Sequence, residues 1–293
     1  METYVIASDA ACDIDASFFE NNDICLFPMS YSHGEEMISL SSMKDDASLK
    51  AFYEGQRNGS MTMTSQITPY LYKEYVTPYL KNGISVLYIA LSGGLSSTCR
   101  SACIAARELE EEFKEVRFMV LDSLSASGGM GILLERAIRN QKKGMDMNEN
   151  FSDLQEAVKH LHHWFSVSDL MYLKRGGRLS ASAAMIASAL NIKPILQIDT
   201  EGKLPVIRKV KGNKASLRTL LDYYHEFREE EEDPIYLCHS DNEEAENSLE
   251  EMILQINPKA IIRKKYLSPI IGAHTGPGLA SIIHIGKERK NLG

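Results

Sequence analysis

Residues 84–112, ISVLYIALSGGLSSTCRSACIAARELEEE, decide the fold. An unbroken apolar run rich in β-branched and aromatic residues passes through a Gly/Ser/Thr turn into a segment with apolar residues at helical spacing. Such a run, without polar alternation, is a strand covered on both faces, and a strand feeding a helix through a tight turn is the unit of a parallel sheet.

The same unit recurs on the N-terminal side and just beyond. Strand-like runs at 3–8, 24–31, 84–91 and 116–122 alternate with helical patterns at 46–57, 69–81, 96–114 and 127–142. This order predicts an α/β fold whose first part is a mainly parallel sheet flanked by helices. Beyond the polar stretch RNQKKGMDMNEN, a helical segment at 152–163 leads into WFSVSD, so a junction is expected within 145–165. The expectation is an N-terminal α/β domain over 1–160 and a C-terminal α/β domain over 161–293 with a mixed sheet. Strands are expected there at 164–168, 194–199, 203–210, 235–239, 260–266 and 280–285, and helices at 170–175, 180–190, 213–228 and 241–255. ILQIDTEGKLPVIRKV carries the pattern of a hairpin, with Gly202 suited to positive φ at its tip. The acidic run 229–233 is expected to be solvated.

Composition narrows the function classes. Among 293 residues, 44% are hydrophobic and 25% charged, as in ordinary globular proteins. Lys and Arg number 32 against 40 Asp and Glu, a net charge of −8 with no basic block, which argues against nucleic acid and anionic membranes as partners. The uncharged stretch 267–286 is broken by Pro269, Gly272, Gly276, Pro277 and Gly278, so loops and a strand are expected there rather than a membrane span. Five cysteines without a C-x-x-C pair suit reduced thiols and a cytoplasmic setting, and no secretory signal is expected.

Four segments can carry chemistry. In 92–98, SGGLSST, Ser96 is the expected N-cap of the following helix, and Gly93 and Gly94 allow close approach of a ligand. A helix start of this kind receives anions, although caps and turns alone also account for these residues. A second hydroxyl cluster, 61–66 (MTMTSQ), precedes the helix beginning near Pro69. In 173–180, LKRGGRLS, Arg175 and Arg178 flank a flexible turn and suit a phosphate or carboxylate, or solvent. In 271–278, IGAHTGPG, His274 is expected in a glycine-rich loop.

Taken in order, VIASDAACDI, MTMTSQITP, YIALSGGLSSTCRSA, LDSLSASGGMG, YLKRGGRLSASAAMIASALNIKPIL and IGAHTGPGLASI span nearly the whole chain. Together they resemble the DegV family of bacterial fatty-acid-binding proteins. The resemblance implies two α/β domains, a long-chain fatty acid held in a tunnel between or near them, and no cofactor. It also implies a partner, the dihydroxyacetone-kinase-like subunit of a fatty acid kinase, which phosphorylates the bound carboxylate to an acyl phosphate for phospholipid synthesis. By motif position Thr64 and Ser96 would hold the carboxylate, with Ser65, Gly94 and Leu95 beside it and His274 completing the polar end. Arg178, and Arg208 on the hairpin strand, would face the phosphate or the partner. The chain departs from the family pattern at Ser8-Asp9-Ala10-Ala11, where T-D-S-T is usual, at Ile67 in place of proline, and at Gly93 in place of a second serine.

A buried carboxylate requires hydrogen-bond donors, and hydroxyls with a helix start supply them without a fixed charge. The mouth is therefore expected to be neutral, with Met29, Met130, Phe165 and the Met/Ala-rich segment 181–192 as candidate tunnel walls. Three other readings compete. One is a binding module for a phosphorylated small molecule. Another is a serine hydrolase using Ser96 with His274 as base. The third is a metal site at His160, His162 and His163, disfavoured because no further ligand follows at suitable spacing.

Overall fold

The computed structural model describes residues 3–34, 36–40, 45–179, 191–229 and 232–292. Its elements run β1 (Tyr4–Asp9), a 3-10 turn (Ala10–Cys12), α1 (Ala16–Asn21), β2 (Cys25–Phe27), β3 (Met29–His33), β4 (Glu36–Leu40), α2 (Asp46–Arg57), β5 (Thr64–Ser65), α3 (Pro69–Lys81), β6 (Ser85–Ala90) and α4 (Thr98–Glu112). They continue with β7 (Phe118–Asp122), α5 (Gly128–Lys142), α6 (Met147–His160), β8 (Leu161–Ser166), α7 (Met171–Arg175), β9 (Ile192–Gln197), β10 (Val206–Lys211) and α8 (Asn213–Phe227). The last are β11 (Ile235–His239), α9 (Glu243–Ile256), β12 (Ile262–Tyr266), α10 (Pro269–Thr275) and β13 (Ala280–Ile285).

The first sheet is parallel throughout, in the order β2-β1-β6-β7. Every residue of β6 is buried, as expected for its apolar run from Val86 to Ala90, and Ser85 at its start is buried with them. From β1 the chain steps to one side to form β2 and to the other to form β6. The carboxyl ends of β1 and β6 therefore frame the crevice where such sheets take ligands.

The second sheet has the order β10-β9-β8-β13-β11-β12, antiparallel except for the β11–β12 pair. Its central strands align Phe165, Ser281 and Cys238 in one row, with His163 opposite Ile283 beside it. Alternate residues Trp164, Ile282 and Leu237 point the other way. They belong to a second apolar cluster with Leu220, Phe227 and Leu249 of α8 and α9. The first row faces α5, whose opening glycines allow the helix to come close: a Cβ on Gly128 would lie 2.8 Å from Cys238 Sγ, and one on Gly129 would lie 2.3 Å from His163 Nε2. A third sheet, β4-β3-β5, sets Thr64 opposite Tyr31 and Ser65 opposite Ser30.

Several expectations change. The run 24–31 is two strands in different sheets, separated at Pro28, because proline removes a ladder donor. The helix expected to reach 163 stops at His160, and the chain enters β8 at Leu161 without a breaker. Residues 269–275 form a helix, so His274 stands on α10 rather than in a loop. Asp233 is not solvated: its carboxylate accepts hydrogen bonds from Arg136 and Arg139. The expected helix 180–190 lies outside the described residues. Among those described, no helix is long and apolar enough to cross a membrane.

Candidate functional site

A cavity of about 540 Å³ opens at the carboxyl edge of the parallel sheet and runs against the α5-facing side of the mixed sheet. That size is within the roughly 300–1,000 Å³ of sites for small organic ligands. Its mouth is polar. Thr64 and Ser65 come from β5, Ser96 and Ser97 from the turn after β6, His274 from α10 and Arg178 from the turn after α7. Leu91, Phe165, Ile198, Leu204, Ile270 and Ile283 supply apolar wall.

Thr64 Oγ1 and His274 Nε2 are 2.8 Å apart, joining residues 210 positions distant in sequence. Burial, and then the Arg178 charge, push the His274 pKa down to about 4, so the imidazole is neutral at ordinary pH. Its Nδ1 is buried without a hydrogen-bond partner among the described residues and lies against Gly176, where a Cβ would approach within 2.3 Å. Arg178 Nε donates to Leu95 O at 2.9 Å, tying the two turns together across the mouth. The mouth is therefore not neutral, as expected from hydroxyls alone, because a half-buried guanidinium stands in it. Arg175 is turned to the outside, with its guanidinium 4.6 Å from the centroid of the Tyr172 ring.

The turn glycines have structural partners. Gly93 N–H donates to the Asp122 carboxylate (3.1 and 3.2 Å), and Gly94 N–H donates to Ser92 Oγ (3.1 Å). A Cβ on Gly94 would lie 2.5 Å from Glu201 O, so glycine here admits the β9–β10 loop rather than a ligand. Ser92 Oγ donates to Gly202 O at 2.9 Å, and Gly202 adopts φ +73, the positive value expected at the tip. Residues 290 and 291 tie down that hairpin, and Arg289 bonds the neighbouring turn after β7. Arg289 donates to Leu124 O (3.1 Å), Gln197 donates to Lys290 O (3.1 Å), and Thr200 N–H donates to Asn291 Oδ1 (2.9 Å). By backbone geometry the cap of α4 is Ser97, not Ser96, and its side chain makes no capping bond; Thr98 N–H donates to Ser96 Oγ at 3.2 Å.

The altered first loop is tied inward. Asp9 is fully buried and accepts from Tyr88 OH (2.6 Å), Leu91 N–H (3.0 Å) and Ala11 N–H (3.0 Å). It thus fastens the end of β1 to the end of β6. Burial raises its pKa despite these donors.

The structure brings Thr64, Ser65, Gly94, Leu95, Ser96, Arg178 and His274 to one mouth, and Met29 and Phe165 to the wall. It does not bring Arg208, which is exposed on β10, or Met130, which is buried outside the lining. The hydrolase pairing is absent: His274 Nε2 engages Thr64, while Ser96 Oγ pairs with Thr98 Oγ1 at 2.8 Å. No three metal-ligating side chains cluster among the described residues. His162 Nε2 is 2.8 Å from Lys287 O, whereas His163 Nε2 is 2.7 Å from Ser125 Oγ. Sequence reasoning missed the wall residues Leu91, Ile198, Leu204 and Ile270 and the polar residues Ser127, His163, Cys238 and Ser281 as cavity lining. The glycines of GGMG were the available signal that a sheet would press on that helix start.

A family model described as an uncharacterised protein of the DegV family matches residues 3–287. The DegV domain-containing protein CPE0026 of Clostridium perfringens is 34% identical over 291 residues, covering 99% of this chain and 100% of the relative. Among solved structures, a DegV lipid binding protein of Thermotoga maritima is 26% identical with a TM-score of 0.82, covering 98% of this chain and 100% of its own. A second T. maritima protein, reported to have a fatty acid binding function, is 25% identical with a TM-score of 0.80, covering 97% and 100%. With the motifs in order and the whole length matched, the chain belongs to the DegV family.

Proposed function

We propose that the chain binds one long-chain fatty acid, tail in the cavity and carboxylate at the mouth, and presents that carboxylate to a fatty acid kinase subunit for conversion to an acyl phosphate. Thr64 and Ser96 hold the carboxylate, His274 orients Thr64, and Ser65, Gly94 and Leu95 stand beside it. Arg178 offers its charge to the head group and to the incoming phosphate, and Arg208 belongs to a partner-facing surface away from the mouth. The protein acts as a binding subunit without a cofactor in the cytoplasm, and the ligand lies between domains 1–160 and 161–293.

The observation carrying this reading is the Thr64–His274 pair at the polar mouth of a cavity that has apolar wall from Leu91, Phe165, Ile198, Leu204, Ile270 and Ile283. The lipid and fatty acid binding of the two T. maritima relatives supports it. A phosphorylated small molecule would leave the apolar wall unexplained, whereas each buried methylene of an acyl tail contributes roughly 0.8 kcal/mol. A neutral His274 lets Thr64 interact with the carboxylate without a second fixed charge, which leaves the oxygens open to a phosphoryl donor.

Native mass spectrometry of protein purified from a bacterial host should show a bound mass in the fatty-acid range. With a dihydroxyacetone-kinase-like subunit and ATP, hydroxylamine should then trap the acyl phosphate as a hydroxamate. Failure to bind stearate or palmitate at saturating concentration would overturn the ligand assignment. Binding without hydroxamate would overturn only the kinase step.

A further inference from the structure

The inner part of the cavity is not the plain hydrocarbon wall that an unsubstituted acyl tail requires. Ser127, His163, Cys238 and Ser281 line it, and each is at most 5% exposed, whereas Ser65, Gly94, Ser97 and Gly177 at the mouth are exposed. Cys238 and Ser281 are register partners on adjacent strands, and Ser127 reaches them from the start of α5, its Oγ 3.6 Å from Cys238 Sγ. Ser281 Oγ bonds the Cys238 backbone in both directions, at 3.2 and 3.1 Å.

His163 uses Nε2 on Ser125 Oγ, and among the described residues no hydrogen bond engages its Nδ1. Burial first, then the Arg289, His162 and His284 charges, hold its pKa well below the ordinary histidine value. A neutral imidazole bonded through one nitrogen keeps the other for a further partner, and Ser127 Oγ keeps acceptor capacity. Buried polar groups of this kind take water or a ligand atom, and a methyl terminus that displaces water replaces none of its hydrogen bonds.

We propose that this inner wall is a second, polar subsite and that the preferred ligand is an acyl chain bearing a hydroxyl in the half remote from its carboxylate. The proposal rests on the fatty-acid reading above. A hydroxyl both donates and accepts, so it matches His163 in either tautomer. A site built around such a group discriminates against the analogue lacking it, because the protein's polar atoms are then left unpaired.

The test is calorimetric titration of the delipidated full chain at neutral pH with stearate against 12-hydroxystearate, and hexadecanoate against 16-hydroxyhexadecanoate. At least one hydroxylated acid should bind about tenfold more tightly than its parent. His163→Phe should bring that ratio to about one, since it removes the hydrogen bond but keeps the bulk. Parents that match or exceed both hydroxylated acids would overturn the polar subsite and leave fatty-acid binding intact. If none of the four binds, the fatty-acid reading fails and this one with it. The wild-type ratios decide the matter even if the variant does not fold.

Discussion

The two faces of the six-stranded sheet come from the same strands and differ by one residue of register. Toward α8 and α9 stands Trp164, stacked on Tyr223 at 4.8 Å and close to Phe227, with Ile282 and Leu237 filling the rest. Toward α5 stand His163, Cys238 and Ser281, smaller or polar, opposite a helix that begins with glycines, and there the cavity runs. The alternation that normally separates core from solvent here separates a filled core from a cavity. Both sides are buried, so side-chain volume and helix approach, more than hydrophobicity, make the difference.

The largest expected effect tests the filled face. Trp164→Ala should cost roughly 3–5 kcal/mol of stability, seen as a fall in the urea midpoint, with little change in fatty-acid affinity for the folded fraction. A midpoint that hardly moves would break the comparison.

Acid comes next. Burial pushes His162 down to about 4 and His284 to about 3, both on the filled face. Their unfolded forms take up protons near pH 6.5 before the folded forms do. Their contribution is therefore complete above that pH and declines as pH falls toward 4 and 3, by on the order of 3 kcal/mol for His162. His162→Phe, measured by unfolding at pH 7 and pH 4, should remove most of that share of the acid sensitivity.

Gly94→Ala probes the open side. The new Cβ meets backbone rather than a movable side chain, so the hairpin loop must shift. About 1–3 kcal/mol of stability should be lost, together with at least tenfold in acyl affinity. Thr64→Val combined with Ser96→Ala should weaken fatty-acid binding about tenfold or more by direct titration, with less effect on unfolding. Arg208→Ala, on an exposed edge strand, should stay within about 0.5 kcal/mol of wild-type stability and leave acyl affinity unchanged.

How much of this was legible in sequence depended on whether the cause was local. The helices at 46–57 and 69–81 match their expected bounds because each has a cap of its own: Asp45 accepts from Ser48 N–H, and Thr68 accepts from Leu71 N–H with proline next. Helix α10 carried comparable signals, Ser268 before Pro269 and Gly276 after Thr275, which the glycines and prolines of the surrounding stretch obscured. The passage from α6 to β8 had no such mark: LHHWFS becomes strand through pairing with residues more than a hundred positions later. At the site, the motifs indicated which residues would gather. That Gly93 and Gly94 serve Asp122 and the hairpin, or that Arg178 reaches back to Leu95 O across the mouth, depends on approaches between distant segments that no local pattern encodes.

The strap formed by Arg289, Lys290 and Asn291 has a practical corollary. These residues look dispensable by hydropathy, yet Lys290 and Asn291 hold the hairpin whose loop closes over the SGGLSS turn, and Arg289 holds Leu124 beside that loop. Deleting them would loosen the lip of the binding chamber without touching any residue inside it. A ligand lost from such a preparation would then report on how the protein was engineered, not on what it binds.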